Sequence, residues 1–202
     1  MKIDWKNPPK GVMIAFIAVL AIGLGFLADF LITCLEKNSY PREYAEYVEV
    51  YAEAYGVPEG LVYAVIRTES SFDSGAVSPV GAVGLMQLMP STFEWLTDDM
   101  LFEHLESGML YDPETNIKYG TYYLSRLYDR YGDWELALAA YNGGSGNVDK
   151  WLADTEYADG EGGLKEIPFR ETRRYIKKVI KAQKTYERLY GKDLENRETE
   201  PK

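Results

Sequence analysis

The sequence predicts a mainly α protein: a globular helical domain with a small β-hairpin, preceded by one N-terminal transmembrane helix. Three observations predict it. Residues 11–28 carry no charge, and apolar character resumes after Asp29 as far as Leu35. Beyond that run, apolar residues recur at helical spacing, most clearly at Leu61, Val62, Val65 and Ile66, which fall at i, i+1, i+4 and i+5. Gly and Pro interrupt the pattern where helices stop and start, as at Gly56 and Pro58.

The first run is long enough to cross a membrane. Eighteen to twenty-five residues at 1.5 Å each span about 27–37 Å, the thickness of a bilayer core. It exceeds the ~7–15 residue apolar core of a signal peptide, and no small-x-small cleavage site follows it. An uncleaved single-pass anchor over residues 11–35 is therefore expected. The basic flank of residues 1–10, with Lys2, Lys6 and Lys10 against Asp4, predicts a cytoplasmic N-terminus and an extracytoplasmic domain, on the wall side of the cell membrane. Two alternatives remain open. The segment can be a cleaved secretion signal, or Cys34 can be lipidated, although Leu31-Ile32-Thr33-Cys34 has Thr33 where a lipoprotein box wants a small residue.

Residues 36–41 form a short polar linker, and the domain occupies 42–190. Helices are expected over 42–55, 58–70, 92–96, 112–131 and 134–141, with a short turn over 147–152 and a last helix over 168–189. Asp112-Pro113-Glu114 supplies an N-cap, an N1 proline and a first-turn acid. Asp133 caps the next helix, and Gly191 is the expected stop of the last. Residues 85–88 suit one strand of the hairpin. Residues 97–111 carry little pattern, and His104 within them reads as a surface residue. The acidic, Gly-rich stretch 154–163 reads as a mobile loop, and 191–202 as a charged, flexible tail.

Composition narrows the function. The 202 residues carry 22 basic and 32 acidic side chains, a net charge of −10, which argues against a nucleic-acid partner. One cysteine excludes an intrachain disulfide or a cysteine metal cluster, and one histidine excludes a His-rich metal site. There is no P-loop, dinucleotide fingerprint, heptad array or internal repeat. The 17 tyrosines suit sugar rings and helical cores alike.

One residue invites chemistry. Glu69 is the next step on the stripe of Leu61, Val62, Val65 and Ile66, so a helix that buries those four carries a carboxyl toward apolar surroundings. Desolvation disfavours the charged form and raises the pKa, which suits a general acid. Taken alone, a Glu at a helix end is more often a surface or capping residue. Asp73, four residues on, is the second carboxylate that glycoside cleavage ordinarily requires. The Ser and Gly around it end the helix near Ser70, so Asp73 reads as a turn residue.

The order of four blocks adds more. Glu69-Ser70, then Gly81-Ala82-Val83-Gly84-Leu85-Met86-Gln87, then Ala140-Tyr141-Asn142-Gly143-Gly144, then Glu171-Thr172-Arg173-Arg174-Tyr175 resembles the lytic transglycosylases with a goose-lysozyme-like fold. The resemblance covers about residues 42–189. It implies cleavage of the bond between N-acetylmuramic acid and N-acetylglucosamine in peptidoglycan glycan strands, without metal or cofactor. Glu69 would serve as the single general acid and base, and the product would be a 1,6-anhydro sugar. It further implies substrate contacts from Ser70, the backbone around Met86, Gln87, Tyr141, Asn142 and Tyr175. A lysozyme-type muramidase, a non-catalytic wall-binding module and a wall-opening component of an envelope apparatus with unnamed partners are the alternatives.

Overall fold

The computed structural model describes residues 9–101 and 104–198, with the backbone alone for 99–101 and 192–198. The N-terminal lysines Lys2 and Lys6 and the end of the tail, 199–202, lie outside the described residues. The chain divides into two compact units, the first ending at Pro41 and the second beginning at Arg42.

The first unit is one helix, α1 (Lys10–Ser39), none of whose side chains is buried. It is long and apolar enough to cross a membrane, by length and composition. It continues four residues past Leu35, so four of the six residues of the expected linker are helical. Glu36, Lys37 and Ser39 have no helix-breaking character, and the ladder ends only before Pro41, where the preceding residue leaves the α region.

The second unit contains α2 (Ala45–Tyr55), α3 (Glu59–Glu69), α4 (Pro90–Leu101), a 3-10 turn (Ser107–Tyr111), α5 (Pro113–Tyr131), α6 (Trp134–Gly143), α7 (Ser145–Ala153) and α8 (Arg170–Glu198). The punctuation works as expected. Gly56 and Gly132 end α2 and α5 in the left-handed region. Asp112 and Asp133 accept hydrogen bonds from Thr115 N and Leu136 N, capping α5 and α6. Other features differ. α4 runs five residues beyond Leu96, and α8 passes through Gly191 to Glu198. One glycine in a long helix costs only ~1 kcal/mol against alanine, so it does not by itself end one. The hairpin shrinks to isolated bridges, Val77 with Val83 and Val83 with Leu88; the chain turns too tightly around Gly81 and Gly84 for a ladder. The 154–163 stretch is a folded turn: Asp159 accepts from the backbone of Glu161 and Gly163, and Ala158 bridges Leu164. His104 is exposed beside Asp98, at 3.4 Å.

The centre of the domain is α3. Every residue over 60–66 is buried, including Tyr63 and Ala64, which lie off the predicted stripe. A helix buried all round must be covered on several sides. Here α8 supplies the largest cover and α2 another. The α3–α8 contact is aromatic: Tyr63 stacks on Tyr186 at 5.2 Å, and Tyr186 on Tyr190 at 6.1 Å. Arg42 closes the end of this stack. Its guanidinium lies 5.8 Å from the Tyr63 ring and 5.2 Å from the Tyr190 ring, while reaching Glu49 and Glu59 at 3.0 and 3.1 Å.

The Gly-rich loop between α3 and α4 is held from beneath by α5. Asn116, fully buried, accepts from Met86 N at 2.7 Å and donates to Val83 O and Leu110 O at 3.0 and 2.8 Å. Two glycines make the approach possible. A Cβ on Gly84 would lie 2.2 Å from Asn116 Nδ2, and one on Gly120 would lie 2.5 Å from Met86 Sδ. Replacing Asn116 with Ala takes the side-chain partner from one buried donor, Met86 N, and from Leu110 O, while Val83 O keeps its bond from Leu88 N. The variant should lose about 2–4 kcal/mol of stability, read as a lower denaturant midpoint at unchanged slope.

Candidate active site

The site is built where α3 ends. Glu69 is the last residue of α3, and Ser70 is its C-cap. Ser71 and Phe72 follow with φ of 53° and 69°, left-handed values that non-glycine residues rarely take. Phe72 is nevertheless buried, against Tyr63 at 6.4 Å, and that packing holds the turn. Gln87 is the third such residue in the region, with φ 50°. Strained backbone of this kind persists where the surroundings over-determine it, and it collects at functional sites.

Glu69 is mostly buried. Burial pushes its carboxyl pKa from the ordinary 4.5 to about 7, opposed by the Tyr175 hydroxyl and the Lys178 charge on α8. Tyr141, from α6, is the third member of the cluster. Burial and then the Glu69 charge raise the phenols of both Tyr141 and Tyr175 well above their ordinary value. Tyr141 donates a 2.7 Å hydrogen bond to Met86 O. Tyr175 Oη is also buried and interacts electrostatically with Glu69, yet it closes no bond of ordinary hydrogen-bond geometry. Glu69, Tyr141 and Tyr175 therefore come together from three helices far apart in sequence.

The other expected residues take different positions. Ser70 Oγ lies 2.8 Å from Leu85 O and 3.1 Å from Ile66 O, and accepts from Phe72 N at 3.1 Å. With its proton directed to backbone carbonyls, Ser70 clamps the loop to α3 instead of facing a substrate. Met86 contributes its backbone, but both groups are already engaged, the N–H by Asn116 and the carbonyl by Tyr141; its side chain is in the core. The Gln87 amide donates to Ala76 O and Gly84 O at 3.1 and 2.9 Å, fixing the loop. Asn142 is exposed, on an open cleft of about 460 Å³ with Gly143, Phe169, Glu171 and Thr172. Asp73 is exposed and accepts from Gly75 N at 2.9 Å, the turn role its sequence suggests.

Sequence reasoning missed four residues here. Tyr123 lies 5.3 Å from the Tyr141 ring and 6.3 Å from Trp95, and both Tyr123 and Trp95 line a second open cleft of about 660 Å³. Trp95 is half-exposed, an aromatic face open to a ligand. Lys178 lies one helical turn beyond Tyr175, so the same-face spacing on α8 was a usable signal for it. Asn116 left no signal, since nothing in a sequence marks which Asn will be buried.

The domain resembles known proteins in both sequence and structure. The family model described as the transglycosylase SLT domain matches residues 46–161. The soluble lytic murein transglycosylase of Escherichia coli K12 is 36% identical over 158 residues, 77% of this chain and 24% of that protein. The membrane-bound lytic murein transglycosylase C of Edwardsiella ictaluri is 35% identical, over 77% of this chain and 49% of that protein. The crystal structure of the 70 kDa soluble lytic transglycosylase of Escherichia coli superposes with a TM-score of 0.70 at 35% identity, covering 77% of this chain and 26% of that one. An inactive glutamate-to-glutamine mutant of Slt from Pseudomonas aeruginosa superposes at 0.66 with 35% identity, covering 74% and 24%. The chain thus spans about a quarter to a half of the length of these relatives. With more than half of its residues matched by that model, and a buried acid between two tyrosines at its centre, the chain belongs to the transglycosylase SLT-domain family.

Proposed function

We propose that this domain is a membrane-anchored lytic transglycosylase that cleaves the β-1,4 bond between N-acetylmuramic acid and N-acetylglucosamine in peptidoglycan. The observation that carries the reading is Glu69, a half-buried acid whose carboxyl is pushed up to about 7, while the nearest carboxylate in sequence, Asp73, is exposed in a turn. A two-carboxylate hydrolase would need Asp73 free beside the scissile bond, and Asp73 is occupied in a turn.

A one-carboxylate route fits these residues. Protonated Glu69 gives its proton to the glycosidic oxygen as the bond breaks, and the substrate's 2-acetamido group stabilises the anomeric carbon. The Glu69 carboxylate then takes the proton of the C6 hydroxyl as that oxygen attacks, forming the 1,6-anhydro-muramyl end and regenerating the acid. Tyr175 and Tyr141 surround the carboxyl through both steps, and Met86 O holds the Tyr141 hydroxyl still. Two clefts supply sugar-binding surface: one bears Asn142, next in sequence to Tyr141, toward an N-acetyl group, and the other bears Trp95 and Tyr123, which packs on Tyr141, toward a ring face. Helix α1 supplies the anchor, a reading supported by its length and apolarity and by relatives named as membrane-bound.

Digestion of purified peptidoglycan followed by mass analysis tests the reaction: anhydro-muramyl ends are expected, and reducing ends alone would assign a muramidase instead. Glu69→Gln should lower cleavage by about 10²- to 10⁴-fold. A variant that still cleaves at full rate would remove Glu69 from the chemistry.

The pH dependence follows from the shift. Activity requires the protonated acid, so kcat/KM should fall as pH rises through about 7. Tyr175 opposes that rise, so Tyr175→Phe should move the alkaline limb to higher pH.

Stability should respond as well. The folded pKa lies above the unfolded value of 4.5, so the stability linked to neutral Glu69 is complete below 4.5 and lost as pH rises through about 7. Glu69→Gln cannot ionise; it should match the parent near pH 4 and exceed it by about 1–3 kcal/mol above pH 8, measured by denaturant unfolding.

A further inference from the structure

Helix α8 has a second face. Tyr175 and Tyr186 point into the domain, and the opposite side carries Lys177, Lys181, Lys184 and Arg188, spaced four, three and four residues apart. That spacing is one stripe along a helix, about 16 Å long. The three lysines are exposed, and among the described residues none is held in an ion pair. They border an open cleft of about 620 Å³ whose apolar members are Ile176 and Ile180 and whose one acidic lining residue is Glu135. A neighbouring cleft shares Lys177, but there Arg173 is held by Glu166 at 2.7 Å and Asp159 and Glu161 add negative charge. The positive charge outside the ion pairs is therefore that of Lys177, Lys181 and Lys184.

The charge is segregated against a strong background. Residues 170–184 hold seven basic side chains and one acidic one, in a chain of net charge −10. An anionic surface attracts this face and repels much of the rest, so it would orient the domain as well as bind it. The domain's first residue, Arg42, rests on the Tyr190 ring, which stacks on Tyr186 on the inner face of α8, so the connection toward α1 begins beside the same stretch of helix as Arg188 but on the side away from the lysines. Five residues, 40–44, separate α1 from α2, and a backbone of that length reaches at most about 18 Å.

We propose that the Lys177–Lys181–Lys184 face of α8 docks on the anionic headgroups of the membrane that holds α1. This rests on the anchor reading given above. The shared chemistry is a row of phosphates, which a wall polymer of phosphodiesters could also present. The short tether favours the bilayer, because it holds the stripe at high effective concentration beside the headgroups. Three lysines at an anionic surface correspond to about a hundredfold preference for the docked over the free domain.

The test uses the full chain with Cys34→Ser and one fluorophore, at Thr185→Cys beside the stripe or at Ser107→Cys as a remote control. The protein is reconstituted into phosphatidylcholine or phosphatidylglycerol-rich vesicles containing a nitroxide-headgroup lipid. Quenching at 185 should be severalfold stronger with phosphatidylglycerol, fall at high salt, and be lost in the Lys177→Gln/Lys181→Gln/Lys184→Gln variant, while the probe at 107 stays weakly quenched. Equal quenching in both lipids, or no change in the triple variant, would overturn the proposal. So would loss of quenching on adding soluble poly(glycerol phosphate) with no dependence on vesicle charge, which assigns the face to a wall polymer. Flotation separates the anchor from the face. A chain that floats with neutral vesicles at high salt but quenches independently of lipid charge keeps the anchor and loses the face. One that floats only with anionic vesicles and is released by salt loses the anchor and keeps the face. Cleavage of peptidoglycan in detergent by the triple variant at the parent rate establishes that it is folded.

Discussion

Glu69 is held largely out of water at the end of α3, and the packing around it answers to that constraint. A carboxyl at the C-terminal end of a helix faces the negative end of the helix dipole as well as the cost of desolvation. Both favour the protonated acid. The environment must be rigid, because a carboxyl that could swing into solvent would return to its ordinary pKa. Rigidity comes from α3 itself, buried over 60–66, and from the aromatic stack that binds it to α8. The left-handed turn at Ser71 and Phe72 then directs the chain back under the acid, and Ser70 ties that turn to the Gly-rich loop.

The Gly-rich loop buries Val83, Leu85, Met86 and Leu88 in the core, and hydrogen bonds fix the path of its backbone between them. Asn116 fixes it from below, Gln87 spans it and Tyr141 meets it from the groove side. Several residues that a substrate-centred reading assigns to sugar contacts are instead spent on this framework. The exchange is physical economy: a Ser or Gln beside a tight loop meets unpaired carbonyls sooner than it meets a ligand. Outside this framework stand the Glu69 carboxyl, the Tyr175 phenol beside it, and the exposed Trp95 and Asn142 on their open clefts.

How much of this a sequence discloses depends on whether the signal is local. Caps and stops at Asp112, Asp133, Gly56 and Gly132 are local chemistry and are legible. The stripe leading to Glu69 is legible too, and it identifies the acid, though it understates the burial of α3, which depends on helices elsewhere in the chain. Tyr141 and Tyr175 become site residues only through the family resemblance, since their meeting at Glu69 is tertiary. The partners of Ser70 and Gln87, and the role of Asn116, depend on backbone carbonyls that no side-chain pattern reports. The continuation of α8 through Gly191 shows the same limit from the other side. A glycine permits a stop without dictating one.

A net charge describes a protein poorly when the charge is sorted. The −10 of the whole chain conceals a strongly basic first half of α8, and that helix serves two environments at once. One side brings Tyr175 and, one turn on, the charge of Lys178 to the Glu69 carboxyl; the outer face presents Lys177, Lys181 and Lys184 to solvent. Adjacent lysines, 177 and 178, thus fall about 100° apart on the helix and do different work. Because one helix carries both faces, whatever fixes the outer face in space also fixes the direction in which the Glu69 cluster is presented. Chemistry and orientation are then coupled without a moving part, through the geometry of a single helix.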